Sequence, residues 1–378
     1  MCSLSIGLDR QTKREKIKWI NVAVAVVFVV CWWSEMLLSI LHITSKQVYG
    51  DSYRSQTTGI EPMLVGNGTL PISHRLANSH ACNPPVAVNS SISYTSSAFT
   101  DAKVDRKSAR ALALGGYERI AKGSGFIPQT GPILMILSQL QLFDLSLTGS
   151  VGEIGVHHGR FTSFLFATAR KTEDLVVADL FEDLQDQNID FSGSGNKEKF
   201  IKGLNTYGLD ENDLHTIVTG SSMDIPFDWS FQSGFSPFRL ISIDGGHTAE
   251  ITFNDLQIAF CNTLPGGVVI LDDFFHGAWP GVTEGFFQLL HHPPNQLQNV
   301  HVYPFLACKS KLFLTNNFHA YEVYYEGLFT RAPDLIRPFA HEKTRGSVKY
   351  SLNGVPYLMC RNEVELDSIQ KMWAKLVF

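Results

Sequence analysis

Residues 241–247, ISIDGGH, and residues 268–274, VVILDDF, decide how this chain folds. Each is a run of apolar, partly β-branched residues ending in acid, the pattern of a parallel strand buried on both faces. In an open α/β sheet the binding crevice lies outside the carboxyl ends of the strands. Asp244, His247, Asp272 and Asp273 are therefore expected to converge. Three carboxylates and an imidazole suit a hard metal ion beside a general base. The competing reading is that the acids cap turns and helices and the histidine donates to backbone.

Working outward, apolar runs alternate with helical stretches at 149–154, 175–179, 214–219, 239–243 and 267–271. This βα alternation predicts an α/β fold, a Rossmann-like doubly wound sheet that is mostly parallel. Runs at 300–307 and 310–315, separated by a short CKS turn, predict an antiparallel C-terminal strand pair. Helices are expected over 107–122 and 131–143.

The first strand ends in EIGVHHGRF, carrying Glu153, Gly155 and Gly159. A glycine turn between strand and helix lets a ligand approach the backbone and the N–H groups of the helix start. Its spacing is not the GxGxxG of dinucleotide sites, which argues against a dehydrogenase. The second strand, LVVAD, ends in Asp179, where an acid typically holds ribose hydroxyls. The third runs into Ser221 and Ser222, polar groups able to face an adenine. Each of these also has a plain structural reading as a tight turn or a helix cap.

The stretches EIGVHHGRF, ADLFEDLQDQNIDFSGSG, TGSSMD, SIDGGHTAEITFNDL and GGVVILDDF resemble class I S-adenosylmethionine-dependent methyltransferases of the methyltransferase-24 type. They are similar to the macrocin-type, metal-dependent sugar O-methyltransferases. The resemblance spans about residues 145–315. It implies S-adenosylmethionine as cofactor, with Glu153 and Gly155 along its methionine part, Gly159 in the same turn, Asp179 on the ribose and Ser222 by the adenine. It further implies Asp244, Asp272 and Asp273 as ligands of Mg²⁺ and His247 as the base. In those relatives the last pair looks like Glu-Asp, whereas this chain has Asp-Asp. The implied acceptor is a hydroxyl of a glycan or small molecule. A metal-independent methyltransferase and a non-catalytic binding protein are the rival expectations.

Ahead of this domain, WINVAVAVVFVVCWW (19–33) and MLLSIL are apolar. A helix of 23 residues spans about 35 Å, enough for a bilayer core of about 27 Å. Arg10, Lys13, Arg14, Lys16 and Lys18 precede it, and the next basic residue is Lys46. The positive-inside rule then leaves residues 1–18 in the cytosol, makes 19–41 a signal anchor and sends the rest across. The bulky WWSEMLL stretch makes a poor signal-peptide cleavage site. Residues 42–105 are rich in Ser, Thr, Asn, Gly and Pro and read as a loosely ordered stem, followed by a domain over 106–378. Both N-glycosylation sequons, Asn67-Gly-Thr and Asn89-Ser-Ser, lie in the stem. The expectation is a single-pass type II protein of the endoplasmic reticulum or Golgi with a lumenal domain. A net charge of −5 gives no support for a nucleic-acid partner, and a homo-oligomer is left open. Cys82, Cys261, Cys308 and Cys360 lie beyond the anchor, and spacing does not choose among their pairings.

Overall fold

The computed structural model describes residues 102–103, 129–338, 351–361, 364, 369 and 372. The expected tail, anchor and sequons, the stem apart from 102–103, and the helix at 107–122 lie outside them. Among the described residues no helix is long and apolar enough to cross a membrane.

Among the described residues the first helix is α1 (Thr130–Gln139), which runs into a π-helical turn at Leu140–Asp144. Strands and helices then alternate: β1 (Ser150–Ile154), α2 (Arg160–Phe166), β2 (Leu175–Asp179), α3 (Lys197–Asn205), β3 (Thr216–Thr219) and α4 (Trp229–Ser233). They continue with β4 (Phe238–Ile243), α5 (Ala249–Cys261), β5 (Thr263–Leu271) and α6 (Pro280–His291). The described residues continue with β6 (Tyr303–Cys308), β7 (Lys311–Thr315), α7 (Phe318–Arg331), β8 (Ile336–Pro338), a small pair β9 (Ser351–Leu352) and β10 (Val355–Pro356), and β11 (Leu358–Cys360).

Nine strands form one sheet in the order β3-β2-β1-β4-β5-β7-β6-β11-β8. The first five are parallel and β6 and β7 form an antiparallel pair, as the sequence leads one to expect; β7 also lies antiparallel to β5, joining that pair to the parallel part. Strand β11 adds beyond β6, and β8 beyond β11, an extension the sequence pattern does not announce. Consecutive strand residues point to opposite faces, and both sets are buried. Val151, Val177, Leu240, Val268 and Ile270 pack on one side with Leu137 of α1, Leu165 of α2 and Tyr324 of α7. Val176, Ala178, Ile241, Ile243, Val269 and Leu271 pack on the other with Leu256 of α5 and Phe286 of α6. Two-sided burial is why the strands read as unbroken apolar runs.

A disulfide joins Cys308 at the end of β6 to Cys360 at the end of β11, with Cα atoms 4.8 Å apart. Cys261 is disulfide-bonded as well.

Candidate functional site

Strand order reverses between β1, which leads outward to β2, and β4, which leads the other way to β5. Helices leaving these neighbours cover opposite faces and open a crevice between them. The strand ends are level: Asp244 N–H donates to Ile154 O at 2.7 Å, and Asp272 N–H to Ile243 O at 2.9 Å. Gly155 sits at the crossing with φ +85°, and a Cβ there would lie 1.8 Å from Asp244 O. Only glycine meets both demands. Gly159 also has a left-handed φ, +73°, and a Cβ there would strike the Phe200 ring at 2.4 Å.

Around this crossing lies a cavity of about 450 Å³, lined by Glu153, Gly155, Asp179, Ser222, Asp244, His247, Asp272, Asp273 and Lys311 among others. Glu153 is 2% exposed. Thr162 Oγ1 donates to its Oε2, while Oε1 has no hydrogen-bond partner among the described residues. Burial pushes its carboxyl up to about 8, against the smaller opposing pulls of Thr162, Lys311 and the nearby Ser242 hydroxyl. Asp179 accepts from His157 N–H at 2.7 Å and Phe181 N–H at 2.6 Å. It thus shapes the β1–α2 turn while facing the cavity. Ser222 O accepts from Asn254 Nδ2 at 3.2 Å. The Ser222 hydroxyl meets Asp255, a buried acid pushed by its burial up to about 7. Of the sequence-chosen cofactor residues, all but Gly159 line the cavity; Gly159 caps the start of α2.

The ends of β4 and β5 form the other half. His247 stacks on Trp279 at 4.3 Å between ring centroids. Its Nδ1 lies 3.0 Å from Asp190 Oδ2 and its Nε2 3.1 Å from Asp273 Oδ2. The Asp190 carboxylate also accepts the His247 backbone N–H. Burial disfavours the imidazolium, but the hydrogen bonds to Asp273 and Asp190 outweigh it and raise the histidine above its ordinary value. Burial, then the neighbouring Asp272, push Asp244 well above the usual carboxylate range. Desolvation works against the half-buried Asp272 carboxylate too, yet Lys311 holds it below its ordinary value. Lys311 Nζ is ion-paired with Asp272 Oδ2, and Asp272 Oδ1 accepts from Ser310 Oγ at 3.2 Å and from Asp273 N–H at 2.8 Å.

The metal expected of Asp244, Asp272 and Asp273 meets this geometry poorly. Mg²⁺ needs oxygen atoms free to approach to about 2.1 Å. Both oxygens of Asp272 are engaged, one of them by a buried ammonium. Asp244, His247 and Asp273 can bring one ligand atom each within 4.8 Å of the others, but both His247 nitrogens already face carboxylates. The fit to a cationic cofactor is better: Glu153 sets a buried carboxyl oxygen, Oε1, with no ion-pair partner of its own among the described residues, beside the Gly155 crossing.

Two participants escaped the sequence-chosen set. Lys311 carried a signal, a cation opening the apolar run KLFLT, since a lysine inside a buried strand needs a partner. Asp190 stood out only as an acid in the polar loop NIDFSGSG.

Residues 153–274 match the Methyltransf_24 family model, described as a methyltransferase domain. No curated protein matches the chain in sequence. Similar solved structures include the O-methyltransferase NovP, at 14% identity over 49% of this chain and 80% of that one, with a TM-score of 0.38. CalS11, a TDP-rhamnose 3'-O-methyltransferase of calicheamicin biosynthesis, matches at 16% identity over 55% and 93%, with a TM-score of 0.35. TomG, an O-methyltransferase from Streptomyces achromogenes in complex with SAM, matches at 18% identity over 55% and 87%, with a TM-score of 0.36.

Proposed function

We propose that this methyltransferase domain moves the methyl group of S-adenosylmethionine onto a hydroxyl of a glycan or small molecule. The observation that carries the reading is one cavity with two unlike halves. Glu153, Gly155, Asp179 and Ser222 line the side formed by β1, β2 and β3, and Asp244, His247 and Asp273 the side formed by β4 and β5. S-adenosylmethionine, when bound, supplies an electrophilic methyl on a sulfonium. The acceptor oxygen forms a bond to that carbon as the carbon–sulfur bond breaks, the sulfur keeping the electron pair. The hydroxyl proton passes to His247 Nε2. Asp190 and Asp273 are both acceptors when ionised, so each favours a proton on the nitrogen facing it; Nε2 serves as base in the neutral ring, whose one proton is on Nδ1 toward Asp190, and Asp273 then stabilises the proton that Nε2 takes up. Glu153 takes a negative charge beside the cofactor's cationic groups, and Asp179 and Ser222 offer acceptors to ribose and adenine. Holding both reactants in line supplies much of the rate, since the cofactor carries the reactive group. No step is assigned to magnesium, because Asp272 is committed to Lys311.

The same proposal puts the domain in the lumen of the secretory pathway, behind an anchor at 19–41. The basic residues before that run and the sequons after it support this, as does the Cys308–Cys360 disulfide, since such bonds persist in oxidising compartments.

Calorimetry on the full chain in detergent is expected to show saturable S-adenosylmethionine binding. No heat at millimolar cofactor would remove the reading. Labelled cofactor offered with an array of glycans and small hydroxylated molecules identifies the acceptor. A mobility shift on glycosidase treatment tests the topology, and an unmodified stem in secretory cells would reverse it.

A further inference from the structure

We propose that the Lys311 ammonium is the resident cation of this site, standing where related enzymes are expected to hold a divalent metal, and that it keeps such metals out. Lys311 opens β7, which lies antiparallel to β5 with Leu312 opposite Leu271. This register sets it beside Asp272, the first residue past β5. The lysine is 7% exposed, its Nζ is paired with Asp272 Oδ2, and it stands 4.1 Å from the centroid of the Phe161 ring. Asp244 and Glu153 also lie within its field and favour its charge.

A buried ammonium survives only where a carboxylate compensates it, and here Asp272, held ionised by the lysine, is paired with it. The arrangement is self-consistent without an added ion. A dication on Asp244, Asp272 and Asp273 would share Asp272 with the ammonium and face it at contact range, where two positive charges in a dry site repel strongly. The Phe161 ring lies under the ammonium, a further contact that favours the cation where it stands. The register that sets Lys311 at the strand end therefore also selects against the metal.

The catalytic consequence rests on the methyl-transfer reading; the exclusion of metal does not. In that reaction negative charge grows on the acceptor oxygen as its proton departs, and a fixed cation lining the cavity stabilises it in place of a Lewis acid.

The test is a titration of the full chain with Mn²⁺, followed by the spin-resonance signal of free ion, with Mg²⁺ calorimetry beside it. The wild type is expected to show no saturable site at millimolar ion. Lys311→Met should gain at least about tenfold in Mn²⁺ affinity by freeing the acids, and adding Asp272→Asn should take that gain away. Lys311→Arg, which keeps the charge, should exclude the ion like the wild type. A tight wild-type Mn²⁺ site abolished by Asp244→Asn or Asp272→Asn would overturn the proposal, as would a folded Lys311→Met that gains nothing. Cofactor binding read separately keeps the two readings apart. A chain that excludes Mn²⁺ and does not bind S-adenosylmethionine sinks methyl transfer alone, and one that binds both sinks the resident cation alone.

Discussion

Strand β4 carries a buried arginine near its start and ends beside a half-buried aspartate, and the two ends settle charge differently. At the start, Arg239 is fully buried and pairs with Glu173 through Nε–Oε1 at 2.7 Å and Nη2–Oε2 at 2.8 Å. Its Nη1 donates to Gln141 Oε1 and its Nη2 to Thr168 O, each at 2.8 Å. Arg170 adds a second cation to Glu173 at 3.2 Å. Burial works against the Glu173 carboxylate, but Arg239 outweighs it and holds the acid low. At the other end, Asp244 and Glu153 are driven up by burial and share a single lysine with Asp272. One end is compensated within the fold. The other leaves charges for a ligand to complete, the usual mark of a site.

Matched substitutions at the two ends should separate stability from turnover. Glu173→Gln leaves Arg239 and Arg170 without their counter-ion, and removing one partner of a buried pair costs about 3–5 kcal/mol. Denaturant unfolding should show that loss, while cofactor affinity per folded molecule stays unchanged. His247→Gln should do the reverse, lowering turnover roughly 10²–10⁴-fold with little change in unfolding. If both variants lost stability equally, the distinction between the ends would fail. Since His247 is raised above its ordinary value and acts as the neutral base, turnover should climb with pH on a limb centred above about 6.5. A flat profile there would remove histidine from the reaction.

The ends also titrate oppositely. Glu173 is depressed in the fold, so its contribution is complete at neutral pH and is lost as acid protonates it. Glu153, raised to about 8, and Asp255, raised to about 7, bind protons more tightly folded than unfolded. Between each acid's ordinary value and its raised one, the native state holds the extra proton, so stability falls as pH rises through that window. Melting temperature is expected to be highest in mild acid and at least about 5 °C lower at pH 8. Asp255→Asn should flatten that decline, and an equally steep fall in the variant would show that Asp255 is not its source.

How much of this could be read beforehand follows from range. The strands were legible because each buries both faces, so its sequence is apolar throughout. Even Thr216–Thr219, the partly exposed edge strand, kept enough β-branched residues to register. Gly155 was legible because it stands in a turn after a strand, where a left-handed φ favours glycine; the close approach of Asp244 from β4 was not. Which side chains would face one another was not. Asp190 meets His247 across 57 residues and Lys311 meets Asp272 across 39, and no local pattern encodes either approach. The cysteines taught the same lesson. Their pairings stayed open until β11 returned beside β6 and brought Cys360 to Cys308.

The smallest expected effect isolates the unfinished charge of the site end. With its carboxyl raised to about 8, Glu153 is mostly protonated at pH 7 before cofactor arrives. A cationic ligand beside it favours the carboxylate and lowers that value. Binding should therefore release a proton, approaching one per site at pH 7 and fading above pH 8, where the acid is already ionised. Calorimetry in buffers of different ionisation enthalpy reads the number directly. Glu153→Gln should abolish the release and weaken binding, whereas Glu173→Gln should leave both unchanged. Proton uptake instead of release would mean that the cofactor's positive charge does not sit beside Glu153, and the assignment of the cavity's two halves would have to be exchanged.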